Sequence, residues 1–423
     1  MRTLLMLTCC GAIVGACSST GNGSRSGSSD NETTTDGGAA ADGGGETTTD
    51  GTEDGGDTGT TDGGDTGVDG GTVDGGTATG AVEPTGLALL GNGKNSVNFV
   101  VLEEVAGPGD GLSVPRDVEV NPFRPNELWT VNTQSESVVV IYDAGTTAQS
   151  TETFWSLGSH HFMGRPAALA FGANDSMATI HDTAELTQGP NGTPADFMGP
   201  TLHATHNLNL FDAGHGSHLD MLHNSPSGVG IAWESDNIYW VLDGFHSSVT
   251  RYDFASDHGM GGADHSDGST ARCAEGEVTR VDGSVSHLAM DTSTGLLYIA
   301  DTGNNRIAVL DTNTGTKGGS VAPNYDGVAQ YRINDVVIET LVDGSDHDMS
   351  APAGLELHDG MIWVTDSVTS RVHAFDMDGQ QVDWMDTYLD AGSLQGLAFD
   401  DAGHMFLTDA VRSRIYQISA LSD

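Results

Sequence analysis

Short apolar stretches separated by polar turns recur six times between residues 115 and 418. In each copy, a strand of small apolar residues is followed by a strand with aromatic side chains, a turn and a third strand. The clearest copy is 286–311, which contains LAMD, LLYIAD and RIAVLD in succession. Copies of several strands at a period of roughly 40–50 residues are typical of blades arranged in a ring. The pattern therefore predicts an all-β protein, a six-bladed β-propeller.

The last copy needs a fourth strand, because the chain ends soon after the third strand at 414–418. The segment SVNFVVL at 96–102 is an isolated strand pattern that precedes the first copy. Since an unpaired edge strand invites aggregation, we expect 96–102 to pair with 414–418 and to close the ring. The aromatic side chains of the second strands should then fill the space between blades. They are Trp129, Tyr239, Trp240, Tyr298, Trp363 and Phe406.

An Asp ends the second strand of five copies, and in three of them an Arg follows five residues later. Such a pair would brace the tight turn between the second and third strands. The turn Asp301-Thr-Gly-Asn-Asn-Arg306, followed by Ile-Ala-Val-Leu, resembles that of the NHL-repeat family. The resemblance covers roughly 115–420 and implies a six-bladed propeller, but no single activity, because the family includes binding platforms and enzymes. The Asp residues expected at one tunnel mouth, as candidate ligand contacts, are Asp243, Asp301, Asp366 and Asp409.

The N-terminus has the pattern of an export signal, with a positively charged start and a short apolar run over 1–16. It leads into Val14-Gly15-Ala16-Cys17, which resembles the lipobox of bacterial lipoproteins. The resemblance implies a lipidated Cys17 that attaches the protein to a membrane of the bacterial cell envelope. Ser18, rather than Asp, follows the Cys, which favours the outer membrane. An ordinary secretory signal with a chance Cys is the alternative.

Residues 17–82 are predicted to be the lipidated Cys and a disordered tether, and 83–423 the propeller. The tether consists almost only of Gly, Thr, Asp, Ser and Ala in repeated TTTDGG and DGGDTG units, so it cannot bury a core. The whole chain has 15 Lys and Arg against 60 Asp and Glu, a net charge of −45. Such a charge repels nucleic acid, so we expect no nucleic-acid partner.

The chain has 16 His residues, which is many beside its 15 Lys and Arg. In an up-and-down propeller, the loops that enter the first strands share a face with the turns between second and third strands. Several His residues fall at these places, and neutral imidazoles from different blades can bind Zn²⁺. Metal-free imidazole as a general acid or base is an alternative, as is plain hydrogen bonding. The metal ligands predicted on this basis are His161, His218, His223, His246 and His287.

A second candidate site follows the third strand of the third copy, on the face opposite the histidines. Asp257, Asp264 and Asp267 are interspersed with Gly there, and carboxylates in such a loop suit Ca²⁺. Their spacing differs from that of an EF-hand loop, and a solvated turn is the alternative. The insertion at 183–205 is predicted to form a lid.

Two functions fit these features. The first is a tethered binding module that takes an unknown protein, peptide or small-molecule ligand at one tunnel mouth. The alternative is a metal-dependent hydrolase or lyase with a His-lined site at that mouth. The chain is similar in fold and His supply to the α-hydroxyglycine amidating lyases, although Ala353 and Gln395 stand at places comparable to their zinc ligands. Propellers of the calcium-dependent lactonase type would use Asp243 and Asp301.

Overall fold

The computed structural model describes residues 86–155, 160–184, 197–206, 218–260 and 262–422, apart from the side chain of His160. The predicted export signal, lipidated Cys17 and tether lie outside the described residues. No helix within those ranges is long and apolar enough to cross a membrane. The one α-helix among them, α1, is a single turn at His160–Met163.

The described residues contain 26 strands, which form six blades. The first strand is β1 (Val100–Ala106). Blade one is β2 (Pro115–Val120), β3 (Glu127–Asn132), β4 (Ser137–Tyr142) and β5 (Ser150–Trp155). Blade two is β6 (Pro166–Phe171), β7 (Ser176–His181), β8 (Thr201–Ala204) and β9 (Asp220–Met221). Blade three is β10 (Gly228–Ser235), β11 (Ile238–Asp243), β12 (Ser248–Asp253) and β13 (Ser269–Cys273).

Blade four consists of β14 (Leu288–Asp291), β15 (Leu296–Asp301), β16 (Arg306–Asp311) and β19 (Val337–Asp343). A hairpin of β17 (Thr316–Ser320) and β18 (Ala329–Asn334) lies between β16 and β19 in the chain. Blade five is β20 (Pro352–His358), β21 (Met361–Asp366), β22 (Arg371–Asp376) and β23 (Gln381–Asp386). Blade six is β24 (Leu394–Phe399), β25 (Met405–Asp409) and β26 (Arg414–Ala420), with β1 as its outer strand. The predicted six-bladed propeller is confirmed.

The predicted closure of the ring is also confirmed. Strand β1 pairs antiparallel with β26, with Val100 opposite Ala420 and Glu104 opposite Tyr416. The strand begins at Val100, because Val97–Phe99 form a 3-10 turn in which the side chain of Ser96 accepts the N–H of Asn98. The N-terminal strand therefore covers the outer edge that β26 would otherwise expose.

The first strands of neighbouring blades approach so closely around the tunnel that two glycine positions leave no room for a side chain. A Cβ atom added at Gly230 would lie 1.9 Å from the carbonyl oxygen of Ser286, and one at Gly354 would lie 2.2 Å from that of Gln395. Large side chains fill the space between blades instead, as the sequence pattern predicts. The six aromatic residues of the second strands named above are 0–3% exposed.

The hairpin of β17 and β18 leaves blade four and extends blade three. Strand β18 runs parallel to β13, the outer strand of blade three, so that this sheet has six strands. The loop between β17 and β18 thereby reaches blade two, where Asp326 receives the N–H of His223 at 2.8 Å. Part of the predicted lid is a strand of blade two, since β8 lies within 183–205, and residues 185–196 of that insertion lie outside the described residues.

Deleting residues 83–104 should lower the melting temperature by about 10 °C or more, since it removes most of β1 and exposes β26. Differential scanning calorimetry measures the change. Deleting residues 18–82 instead is the control, and it should leave the melting temperature unchanged. Equal melting of both deletion variants would contradict a role for β1 in closing the ring.

Candidate sites at the tunnel mouth and at the edge of blade two

The structure separates the five histidines that the sequence predicts as one set of ligands. His246 donates from Nδ1 to Asp243 at 2.7 Å, within the turn of blade three. His287 lies in the tunnel, only 5% exposed, with Nδ1 3.5 Å from Asp117. His161, His218 and His223 lie together beside β9. Because β9 is the outer strand of blade two, residues that enter and leave it lie at the edge of the blade and away from the tunnel.

The turn carboxylates predicted as ligand contacts are buried and serve their own turns. Asp243, Asp301, Asp366 and Asp409 are each 0% exposed. Asp366, for example, accepts four backbone N–H groups, from Ser350, Ala351, Val368 and Thr369. The predicted Asp–Arg brace forms in blade four, where Arg306 donates to Asp301 at 2.7 Å. In blades five and six the arginines pair elsewhere: Arg371 with Asp348 and Arg414 with Glu104.

At the edge of blade two, a cavity of about 250 Å³ is surrounded by imidazole and apolar side chains. It is formed by α1, which lies between blades one and two, by β9 and the segments on either side of it in blade two, and by the loop after β12 in blade three. The lining residues are His161, Phe162, His218, Met221, His223, Gly262, Ala263 and His265.

The loop after β12, which the sequence assigns to the opposite face, folds onto the segment before β9. The backbone N–H of His258 donates to the carbonyl of Leu219 at 3.1 Å. His218, His258 and His265 consequently offer nitrogen atoms that all lie within 4.8 Å of one another. Within the described ranges they form the one group of three or more His, Cys, Asp or Glu residues close enough to hold an ion.

The predicted calcium ligands of this loop do not converge. Asp257 accepts the backbone N–H of Gly259 at 3.0 Å and Asp264 that of Ser266 at 3.1 Å. Asp267 accepts the N–H of Ser256 at 3.3 Å. These contacts are local loop turns, and the histidines next to two of the carboxylates, His258 and His265, are the residues that approach one another. The sequence contained a signal for this pair, since each of the two His residues directly follows an Asp within the Gly-rich segment.

A carboxylate holds His265 in position. Its Nδ1 donates to Asp220 Oδ1 at 2.7 Å, and Asp220, at 1% exposure, also accepts the backbone N–H of Met221. Burial disfavours the charged ring, but the hydrogen bond to Asp220 and the charges of Asp220, Asp326 and Asp264 together raise the pKa of His265. The proton on Nδ1 leaves the lone pair of Nε2 available.

A second chain of polar groups lines the same cavity. His223 donates from Nδ1 to Asp326 at 2.6 Å, so its Nε2 accepts from Nε2 of His161 at 3.0 Å. Burial, and then the neighbouring His223, lower the pKa of His161 to about 3, which keeps that ring neutral. Burial alone would raise the pKa of Asp326, but the hydrogen bonds from the side chain and backbone of His223, together with the charges of His223 and His265, lower it.

The tunnel itself contains carboxyl groups that favour their protonated forms. Asp117 is buried, whereas Glu119 and Glu356 are half-buried and line a cavity of about 300 Å³ at one end of the tunnel. Burial raises the pKa of all three, that of Glu356 to about 8, and the charge of Glu356 adds to the shift at Glu119. Burial lowers the pKa of the neighbouring His287 to about 3. Burial therefore shifts all four of these tunnel groups toward their uncharged forms.

At the other end of the tunnel, the face that carries the turns between second and third strands, three arginines meet one carboxyl residue. Arg116 donates to Asp182 Oδ2 at 2.9 Å, and Arg280 donates to the other oxygen of Asp182. Arg165 donates from Nε to the backbone carbonyl of Asp182 at 2.9 Å. Nε of Arg116 is buried and has no hydrogen-bond partner among the described residues. Arg280 also donates to Asp282, so three guanidinium groups meet two carboxylates at this tunnel mouth.

Exposed apolar side chains surround this tunnel mouth. Three of them occupy the same position in their blades, two residues after the Asp that ends the second strand: Phe245, Val368 and Val411, at 51%, 53% and 55% exposure. Val281 and Tyr388, in loops that enter blades four and six, are 40% and 61% exposed. The shared position therefore places an exposed apolar side chain in the corresponding turn of three blades.

No protein-family model matches the chain, and no curated protein matches its sequence. Among solved structures, a streptogramin B lyase aligns at 11% identity and a TM-score of 0.44, covering 76% of this chain and 98% of that one. An auxiliary nutrient binding protein from Bacteroides thetaiotaomicron aligns at 13% identity and a TM-score of 0.48, covering 72% and 68%. A calcium-binding protein, regucalcin, from Agrobacterium tumefaciens aligns at 11% identity and 0.45, covering 75% and 94%. At these similarities, what those proteins bind or catalyse is not transferred to this chain.

Replacing Glu356 with Gln should raise the free energy of unfolding above pH 8. The folded-state pKa of about 8 exceeds the ordinary 4.5, so the folded chain holds a proton that the unfolded chain has released. Stability therefore falls as the pH rises from the ordinary pKa through the folded one, and the Gln variant should lose this decline. Chemical denaturation over that pH range measures it. Glu339→Gln, on the exposed outer strand of blade four, is the control; the same decline in both variants would contradict the assignment.

Proposed function

We propose that this chain is a binding module of the bacterial cell envelope, whose tunnel mouth takes the C-terminal end of an apolar peptide. The observation that carries this proposal is the group of guanidinium groups at the mouth, Arg116, Arg165 and Arg280, surrounded by exposed apolar side chains. A terminal carboxylate matches the guanidinium groups, and apolar side chains match the surrounding surface.

The charge distribution favours one carboxylate over a polyanion. The chain carries a net charge of −45, which repels strongly acidic partners at long range. The arginines are a local exception, since 3 of the 15 Lys and Arg residues converge on Asp182. Arginine is suited to a carboxylate because its planar group presents several donors in a fixed geometry. Nε of Arg116 supplies a buried donor that a ligand oxygen can satisfy.

The apolar surface favours a peptide over a smaller ligand. Phe245, Val368 and Val411 belong to blades three, five and six, so they lie at separate points around the mouth. A compact ligand at the arginines would leave these side chains in water. An extended peptide that ends at the arginines can cover at least one of them, and each covered side chain contributes on the order of 1–2 kcal/mol.

The proposal includes attachment to the membrane through lipidated Cys17, with the outer membrane favoured, and a tether over 17–82 that presents the propeller. The order of export signal, lipobox and low-complexity segment supports it. A tethered module samples a wide volume around its anchor because a Gly-rich chain is flexible.

Hexapeptides that end in Leu, Val or Phe should bind with a free C-terminal carboxylate and much more weakly as C-terminal amides. Fluorescence polarisation with the full chain measures both series. Replacing Arg280 with Gln should weaken binding of the free acids about tenfold, since a hydrogen bond to a charged group is lost. Equal binding of acids and amides, or binding of neither, would rule out the proposed ligand.

Control substitutions away from the tunnel mouth distinguish a loss of peptide contacts from a general effect on the fold. Arg251→Gln removes a guanidinium of similar exposure, paired with Glu234 on blade three, and should leave peptide binding unchanged. Phe245→Ser should weaken binding several-fold, whereas Trp155→Ser, on the outer strand of blade one at 44% exposure, should not.

Replacing Cys17 with Ser should abolish incorporation of radiolabelled palmitate and move the protein from the membrane to the soluble fraction. Cys273→Ser is the control, because Cys273 is buried at 1% exposure in blade three and should not affect labelling. Labelling of the Cys17 variant at the level of the unaltered chain would refute the lipid anchor.

A further inference from the structure

We infer that His218, His258 and His265 form a binding site for one transition-metal ion, such as Zn²⁺, at the outer edge of blade two. This site is separate from the arginine-lined tunnel mouth and does not rest on the function proposed there. It differs from the metal site that the sequence pattern predicts, because only His218 belongs to both sets and two of its ligands come from the loop after β12.

The spacing of the three rings suits a small ion. Their nitrogen atoms lie within 4.8 Å of one another. Tetrahedral Zn²⁺ with bonds of about 2.0–2.1 Å holds its nitrogen ligands about 3.4 Å apart. The rings therefore have to approach one another by up to about 1.4 Å to coordinate one ion. The ring of His218 is already oriented by stacking on Phe162, with centroids 3.7 Å apart and an angle of 17°.

The hydrogen bonds of two rings leave the correct nitrogen available. His265 uses Nδ1 to donate to the carboxylate of Asp220 at 2.7 Å, and a carboxylate behind a histidine is the usual support of a metal ligand. His258 uses Nδ1 to donate to the carbonyl of Gly259 at 2.6 Å. A carbonyl can only accept, so Nε2 of His258 carries the lone pair. That Nε2 is buried and has no hydrogen-bond partner among the described residues.

A purely structural role does not explain this arrangement. A buried polar atom without a partner destabilises the fold, and Nε2 of His258 is such an atom within the described part of the chain. Once Nδ1 has donated, Nε2 of His258 and Nε2 of His265 each keep a lone pair. A cation bound between the rings would accept both of them.

The ligand set selects the class of ion. Imidazole nitrogen suits Zn²⁺, Cu²⁺ and Ni²⁺, whereas Ca²⁺ and Mg²⁺ require oxygen ligands. The carboxylate behind His265, Asp220, accepts from His265 and from the backbone of Met221 through Oδ1 only, and its Oδ2 is buried with no partner among the described residues. Three protein ligands leave a fourth position for water or a ligand, and the adjoining cavity of about 250 Å³ gives access to it.

Calorimetric titration with ZnCl₂ tests the inference on the full chain, produced without an affinity tag and first stripped with a chelator. We expect one equivalent of Zn²⁺ to bind, and CaCl₂ not to compete. His258→Ala and His265→Ala should each weaken zinc binding about 100-fold, and Asp220→Asn about 10-fold or more, since supporting carboxylates contribute this much.

His404→Ala is the matched control, because His404 also donates from Nδ1 to a carboxylate, Asp400, at 2.7 Å, on a hairpin of blade six. It should bind zinc as the unaltered chain does. Circular dichroism verifies that each variant is folded, and the visible absorption of tetrahedral Co²⁺ in the unaltered chain gives a readout independent of any substitution. Undiminished zinc binding in the His258 and His265 variants, or no zinc binding and no tetrahedral Co²⁺ spectrum in the unaltered chain, would overturn the site.

Discussion

The close approach of the six first strands around the tunnel is the constraint on which the rest of this structure depends. At Gly230 and Gly354 the neighbouring backbone leaves no room even for a Cβ atom. The axis can therefore hold few functional side chains, and those present there, such as His287 and Glu356, are shifted by burial toward their neutral forms. Room for larger groups of polar side chains is consequently left at the tunnel mouth and at the edges of the blades.

In the turns between second and third strands, buried carboxylates stabilise the backbone. Asp243, Asp301 and Asp366 are completely buried, and their carboxylate oxygens accept hydrogen bonds from backbone N–H groups and neighbouring side chains. These hydrogen bonds stabilise each turn, and the geometry of the turn places the residue two positions after the Asp in solvent. The same local rule that buries the Asp thus exposes Phe245, Val368 and Val411 around the mouth.

Blade two departs most from the regular repeat, and it carries the histidine cavity. Its outer strand, β9, has only two residues, so the segments beside it are free to take part in a site. The loop after β12 supplies His258 and His265, and the hairpin from blade four supplies Asp326. The ring accommodates such long loops because the entropic cost of closing a surface loop rises slowly with its length.

The sequence by itself determined the regular part of this protein. Alternating apolar positions and the copy period predicted the six blades, the aromatic packing of residues such as Trp129 and Trp363, and the closing strand near the N-terminus. These features follow from local periodicity, since a strand with one apolar pattern has one way to pack. The residue types also indicated that imidazole and carboxylate chemistry is concentrated in a few loops.

The tertiary structure alone decided which of those residues meet. His218 and His265 are 47 residues apart, and Asp326 is 103 residues from His223, and no local periodicity links them. His246 and His287 resemble the other histidines in sequence, yet the strand order places them in a turn and in the tunnel. Loops without a repeated pattern are positioned by contacts with distant elements. The site therefore depends on packing that the linear order of residues does not encode locally.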